Sequence, residues 1–221
     1  MATADVARRS EASQTLSRGL QVLEVLADLG DSSGLTMTEL AAALGVGRPV
    51  LYRLVTTLEA HHLVRRRPDG RAVLALGVTR LAAAVTPVVR AEARPVLREL
   101  ADAVGATAHL TIAEGDQALA LVVVEPSWTD FHVAYRSGSR HRLDEGAAGR
   151  AILAGRAAVT GRASPVATSG ELQQGAHGLA LPLGPAAVEA SVGVVALAPL
   201  DVTVVGPHLE RAATALRELL R

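Results

Sequence analysis

The chain has no cysteine, no lysine and no asparagine, and among its 221 residues only Tyr52, Trp128, Phe131 and Tyr135 are aromatic. Without cysteine there can be no disulfide, thiolate metal ligand or cysteine nucleophile, and a reducing compartment is permitted. No apolar run is long enough to span a bilayer, and residues 1–15 mix Asp5, Arg8, Arg9 and Glu11 with no continuous apolar stretch. A soluble, cytoplasmic protein without a secretory signal is therefore expected. With so few aromatics, the core has to be built from alanine, valine and leucine. The hydrophobic share of 49% and charged share of 20% suit a packed chain of one large domain or two modest ones.

Twenty-two arginines balance twenty-two acidic residues, but unevenly along the chain. Between Val46 and Arg80 seven arginines (48, 53, 65, 66, 67, 71 and 80) face only Glu59 and Asp69; from Leu81 onward twelve arginines meet fourteen acids. A basic cluster confined to the first third is the footprint of an anionic partner. The alternative is a solvated surface in a chain that uses arginine for every cation.

After a polar lead over residues 1–12, expected to lack structure, Leu16, Leu20, Leu23, Leu26 and Ala27 recur at three- and four-residue spacing. That spacing predicts a helix burying one stripe, ended by Gly30 to Gly34. Thr36 and Glu39 stand in the S/T-x-x-E arrangement, in which hydroxyl and carboxylate satisfy each other's backbone N–H groups. Leu35 and Leu40 flank it as a staple, so a second helix is expected over Met37–Leu44. Gly45-Val46-Gly47 is a short turn into a third helix with Val50 or Leu51, Leu54, Val55 and Leu58 inward and Pro49 tolerated in its first turn. Two extended runs, Val64–Arg67 and Arg71–Leu76, then flank Pro68-Asp69-Gly70. Three helices and a basic hairpin make a winged helix-turn-helix, expected over residues 13–77.

Residues 78–104 keep the helical period, yet Pro87 and Pro95 argue against one straight rod; a linker helix over 78–90 and a second helix after it are expected. Beyond Gly105 the period changes to two. Ala108, Leu110 and Ile112 alternate with His109, Thr111 and Ala113, and Leu119–Val124 and Phe131–Arg136 continue as strands. Ala147–Leu153 reads as a short helix of small residues and Arg156–Gly170 as a loop. Leu179–Leu183 and Ser191–Ala198 read as strands, and Leu209–Leu220 as a closing helix. Helices at both ends of antiparallel strands indicate an α+β domain over residues 91–221, and an α+β, two-domain chain as a whole.

A helix fits the major groove of DNA, and its N-terminal side chains then reach base edges. The third helix offers Arg48, Tyr52, Arg53 and Thr56 opposite its buried stripe, with Arg48 best placed for guanine O6 and N7. Pro49 and Val50 can make only apolar contacts, for example with thymine methyl groups, and Thr38 on the preceding helix joins the DNA-facing set. In the wing, Arg65, Arg66, Arg67 and Arg71 surround a turn too small for a core of its own, so phosphate or minor-groove contact is their natural use. The alternative is a protein-interaction module with solvated arginines.

His61 and His62 are adjacent at a helix end, and His109, His132, His141, His177 and His208 are scattered without a two-ligand helical spacing. No metal and no cofactor are expected. Asp130, Asp144 and Glu145 could join His132 and His141 near one strand end, but no G-x-S-x-G elbow, P-loop or dinucleotide fingerprint accompanies them, and no enzyme is expected. Trp128 and Phe131 are expected in the core or an interface.

Five segments, SRGLQVLEVLADL (17–29), LTMTELAAALGV (35–46), LYRLVTTLEAHHLV (51–64), RPVLRELADAVGATAHLTIAEGDQALAL (94–121) and GAAGRAILAG (146–155), make the chain resemble the IclR family of bacterial transcriptional regulators over Thr15–Leu220. A generic winged helix would account for the first three alone; the last two make the match specific. The resemblance implies a homodimer or tetramer whose C-terminal GAF-like domain binds a small organic effector and alters binding to a double-stranded DNA operator. It marks Arg53 as the recurrent recognition-helix arginine and Arg18 as the first-helix one. It places an effector between the sheet and the N-terminus of the small-residue helix, at Ala147, Ala148 and Gly149, with Gly178, Ala196 and Ala198 as the matching strand positions.

Such a lining favours a rather apolar ligand, or none, since the same small residues also allow close packing. The chain departs from the family pattern at Pro49 and Val50, where small hydroxyl residues are usual, and at Arg142-Leu143-Asp144, where Pro-Leu-His is. It is also shortened between Ala154 and Glu171. The rival expectation is therefore a constitutive DNA-binding or protein-interaction module whose reduced C-terminal domain only oligomerises.

Overall fold

Ser13 accepts the backbone N–H of Leu16 and starts α1 (Gln14–Asp28), which turns Gly19, Val22 and Leu26 inward. The structure, a computed structural model, describes residues 13–30, 32–129, 132–133, 135–158, 164–184 and 188–220. The expectations for residues 1–12, Asp130 and Phe131 lie outside the described residues. Ahead of α2 (Met37–Leu44) both halves of the capping box form: Glu39 N–H donates to Thr36 Oγ1 at 3.2 Å, and Thr36 N–H donates to the Glu39 carboxylate at 2.7 Å. The Thr36 N–H foremost, and then the Thr36 hydroxyl, which donates to the same carboxylate at 2.9 Å, hold Glu39 below the usual carboxylate range. Gly45 closes α2 at φ 61°, a left-handed conformation that costs a side-chain-bearing residue energy and glycine almost none.

The chain then enters α3 (Arg48–Ala60), which buries Leu51, Leu54, Val55 and Leu58. With Val22 and Leu40 fully buried beside them, these form the core of the first unit, each worth roughly 1.5–3 kcal/mol of burial. The expected hairpin, β2 (Val64–Arg66) and β3 (Arg71–Leu74), gains an unexpected third strand, β1 (Leu35–Thr36), in the order β1-β3-β2.

Helix α4 (Gly77–Val104) runs without interruption through Pro87 and Pro95, which corrects the expectation of two helices. Both prolines stand at exposed positions, as do Ala83 and Ala91 four residues before them. The carbonyls they leave without a helical donor are thus within reach of water. The buried stripe of Ala93, Leu97, Leu100 and Ala101 outweighs the lost bonds. The chain divides into two compact units between Val85 and Thr86, inside this helix.

The second unit continues with β4 (Thr107–Glu114), β5 (Gln117–Val124), β6 (Arg140–Arg142), α5 (Gly146–Ala157), β7 (Val166–Ser169), β8 (His177–Pro182), β9 (Ala190–Ala196) and α6 (Val202–Leu219). Its strands form one antiparallel sheet in the order β6-β5-β4-β9-β8-β7. One face carries Leu110, Leu179, Leu181, Val192 and Val194 into a core with Leu97 and Leu100 of α4 and Leu209 and Leu216 of α6. The opposite face receives α5: Ala180 packs on Ala147 and Ala151, and the Ser191 hydroxyl donates to the Ala148 carbonyl at 3.0 Å.

Two expectations are corrected here. The described residues of 131–136 make no strand, because Tyr135 N–H turns back to the Val133 carbonyl at 2.9 Å; Arg140–Arg142 pairs with β5 instead. The expected loop over 156–170 contains β7, whose Val166–Ser169 backbone pairs with Ala180–His177 of β8. Among the described residues, no helix is long and apolar enough to cross a membrane.

Candidate nucleic-acid interface and ligand cavity

Because α3 turns Leu51, Leu54, Val55 and Leu58 inward, the residues between them must face solvent. Arg48, Pro49, Tyr52, Arg53 and Thr56 are all exposed, spaced by three and four residues along one side. Val50 is half-buried and packs on the core, so the structure sets it apart from that group. Arg48 donates to the Thr38 hydroxyl at 2.8 Å, tying the first turn of α3 to the first turn of α2. Arg18 is half-buried on α1.

The four wing arginines divide. Arg66 is paired with Glu59 of α3 at 2.6 Å, and the hydrogen bond from Arg66 holds the Glu59 carboxyl below its usual range. Arg67 donates to the carbonyls of Ser32 (2.6 Å) and Ser33 (3.2 Å), and Arg71 donates to that of Gly34 (2.8 Å). These two therefore clamp the wing onto the segment that precedes β1. Arg65 is exposed and makes no such bond among the described residues.

The second unit holds a cavity of about 260 Å³ between the sheet and α5. Of the residues expected there, Ala147, Ala148 and Gly178 line it. Gly149 does not: a Cβ there would stand 2.5 Å from the Leu143 carbonyl oxygen, so its smallness serves close packing. Ala196 faces the opposite core and Ala198 lies exposed beyond the strand end; Val195 takes the lining position. A strand alternates faces residue by residue, so counting from the wrong residue exchanges them all.

Several polar lining residues were missed. His109 and Tyr135 meet edge to face with centroids 5.5 Å apart. Burial pushes His109 down to about 4 and keeps it neutral, while burial pushes Tyr135 up to about 12 and keeps its proton on. His141 Nδ1 lies 2.9 Å from the Arg142 carbonyl, which can only accept; Nδ1 therefore carries a proton, and in the neutral ring Nε2 is the acceptor. Both Tyr135 OH and His141 Nε2 are buried without a partner among the described residues. The sequence did hold a signal for His109: Thr107, His109 and Thr111 alternate with apolar residues, marking a second, polar face of the strand. His132 pairs with Glu125 at 3.2 Å and Asp144 with Arg142 at 2.9 Å, so neither joins His141 in a cluster.

Residues 15–68 match the sequence profile of the IclR helix-turn-helix domain, and residues 82–163 that of the bacterial transcriptional regulator IclR C-terminal domain. The HTH-type transcriptional regulator BhcR of Paracoccus denitrificans is 32% identical over 145 residues, 64% of this chain and 50% of that protein. An HTH-type transcriptional regulator of Mycobacterium tuberculosis is 33% identical over 112 residues, 50% of this chain and 42% of that protein. The chain spans about half the length of the curated relatives it matches or less. Among solved structures, an IclR transcriptional regulator from Alicyclobacillus acidocaldarius shares the fold at TM-score 0.53 and 20% identity, covering 95% of this chain and all of that one. An IclR homolog from Microbacterium hydrocarbonoxydans, crystallised with 4-hydroxybenzoate, does so at TM-score 0.52 and 18% identity, covering 94% of this chain and 99% of that one. Matched by both profiles across more than half its length, with a winged helix-turn-helix ahead of an antiparallel-sheet unit, the chain belongs to the IclR family.

Proposed function

We propose that the chain is a DNA-binding transcriptional regulator in which α3 of each of two copies enters the major groove of an operator. Arg48, Tyr52 and Arg53 read base edges there, with Pro49 and Thr56 alongside, while Arg65 and Arg18 approach phosphates. The observation that carries this reading is the outward side of α3, where two arginines and a tyrosine stand exposed next to a basic wing. Association of two copies is supported by apolar side chains left in solvent: Leu76 is 84% exposed, Leu81 51% and Val85 57%. The protein works in the cytoplasm, where its DNA is.

The cavity holds a small organic effector whose binding shifts operator affinity by favouring one arrangement of the protein over another. Its retention at about 260 Å³, despite the short segment after α5, favours this over a constitutive module. The 4-hydroxybenzoate in the Microbacterium structure supports a guest of single-ring size, and the apolar part of the lining, Val133, Ala147, Ala148 and Val195, supports a rather apolar one.

The reading is tested by selecting binding sites from a pool of random duplexes. Wild-type protein enriches one sequence family, and a folded Arg48→Ala/Arg53→Ala protein enriches none. Equal enrichment by both proteins, or by neither, overturns it.

A further inference from the structure

Glu171, from the turn after β7, sits at the N-terminus of α5. Its carboxylate accepts the Gly146 N–H at 2.8 Å and the Arg150 guanidinium at 3.0 Å, and the same residue lines the cavity. A helix start with unpaired N–H groups favours a negative charge, and here the chain supplies that charge itself. Arg140, the arginine on the lining, is paired with Glu114. Of the buried polar side-chain atoms on the lining, two have no partner among the described residues: the Tyr135 hydroxyl and His141 Nε2, which in the neutral imidazole is a lone pair. The first can donate to an oxygen; the second needs a donor, which an ionised carboxylate does not have.

We propose that the cavity takes an uncharged small molecule bearing a hydroxyl or primary amide, and that Glu171 fills the seat an acidic ligand would need. This rests on the reading of the cavity as an effector site. A hydroxyl or amide both accepts from Tyr135 and donates to His141, whereas a carboxylate meets Glu171 at the helix start and leaves Nε2 without a donor. An unmet buried group and a like charge each weigh by at least the 1.4 kcal/mol that makes a tenfold difference in affinity.

The test uses skeleton-matched pairs, benzamide with benzoate, cyclohexanecarboxamide with its carboxylate, and hexanamide with hexanoate, followed by thermal shift and equilibrium dialysis. Wild-type protein binds at least one amide about tenfold or more tighter than the matched acid. Glu171→Ala, and Glu171→Gln with the length of the side chain kept, gain the acid and narrow the gap to about threefold or less. An acid that binds wild type as tightly as its amide, or variants that leave the ratio unchanged, overturn the proposal while the effector reading stands. If no compound of any pair shifts wild type or variants, the effector reading itself falls and this proposal with it.

Discussion

His109 is one of the residues on which the second unit's packing is narrowly set. At 4% exposure it lies against Gly193 so closely that a Cβ at residue 193 would stand 2.6 Å from its ring and 2.9 Å from the Ala180 Cβ. Gly193→Ala is therefore expected to cost about 1–3 kcal/mol in chemical denaturation; a neutral outcome would mean the ring has room to move. The same burial sets a pH dependence. The folded-state value near 4 lies below the ordinary 6.5, so below 6.5 the unfolded chain takes up a proton that the folded one refuses. The stabilisation from keeping His109 neutral is complete above about 6.5 and is lost as pH falls toward 4, by roughly 3 kcal/mol at most. Urea midpoints should drop through that window in wild type and stay flatter in His109→Gln, whereas parallel curves would assign the drop to other groups. The carboxylates of Glu39, Glu59, Asp102, Asp144, Glu189 and Asp201, held low by the hydrogen bonds they accept, lose stabilisation only further down.

At the scale of elements, the wing arginines separate into two jobs that the sequence shows as one basic run. Arg67→Ala and Arg71→Ala remove bonds to Ser32, Ser33 and Gly34, and each should lower stability by about 0.5–1.5 kcal/mol. Arg65→Ala should leave stability within about 0.5 kcal/mol of wild type and reduce the salt slope of DNA binding by about one. Thermal melts beside binding titrations at several salt concentrations distinguish these outcomes, and a large melt shift for Arg65→Ala would contradict the division.

Local chemistry explains why the first unit was legible. Thr36 with Glu39, Gly45, and the spacing of Leu51, Leu54, Val55 and Leu58 each act within a few residues, and all form as expected. The cavity depended on tertiary choices instead. Which face of β9 meets α5 cannot be read from Ser191–Ala198, since beyond Ser191 both alternating sets, Gly193-Val195-Leu197 and Val192-Val194-Ala196-Ala198, are apolar or glycine. Gly149 looks the same in sequence whether a ligand or the Leu143 carbonyl approaches it. The pairing of Glu171 with Gly146 and Arg150 joins residues 25 and 21 positions apart through a turn that no short motif announces. Pro87 and Pro95 misled for the opposite reason: a local penalty was outweighed by a buried stripe further along the helix.

At the scale of the whole molecule, the proposed function needs two copies held at one helical turn or a multiple of it. Leu81→Asp/Val85→Asp places charges on the exposed apolar stretch of α4 and should halve the mass seen by light scattering while leaving helicity intact. Unchanged mass would locate the interface elsewhere. Operator affinity should fall with the loss of association, because the second winged helix no longer binds from the same assembly.

The central claim is that side chains at the start of α3 read bases. Its most direct measurement is the affinity of wild type and Arg48→Ala for the selected duplex and for a set of duplexes changed one base pair at a time. Arg48→Ala is expected to lose about 1–3 kcal/mol of discrimination at one guanine position in each half-site and to keep the rest of the profile. A profile identical to wild type, or one lowered uniformly at every position, would contradict it.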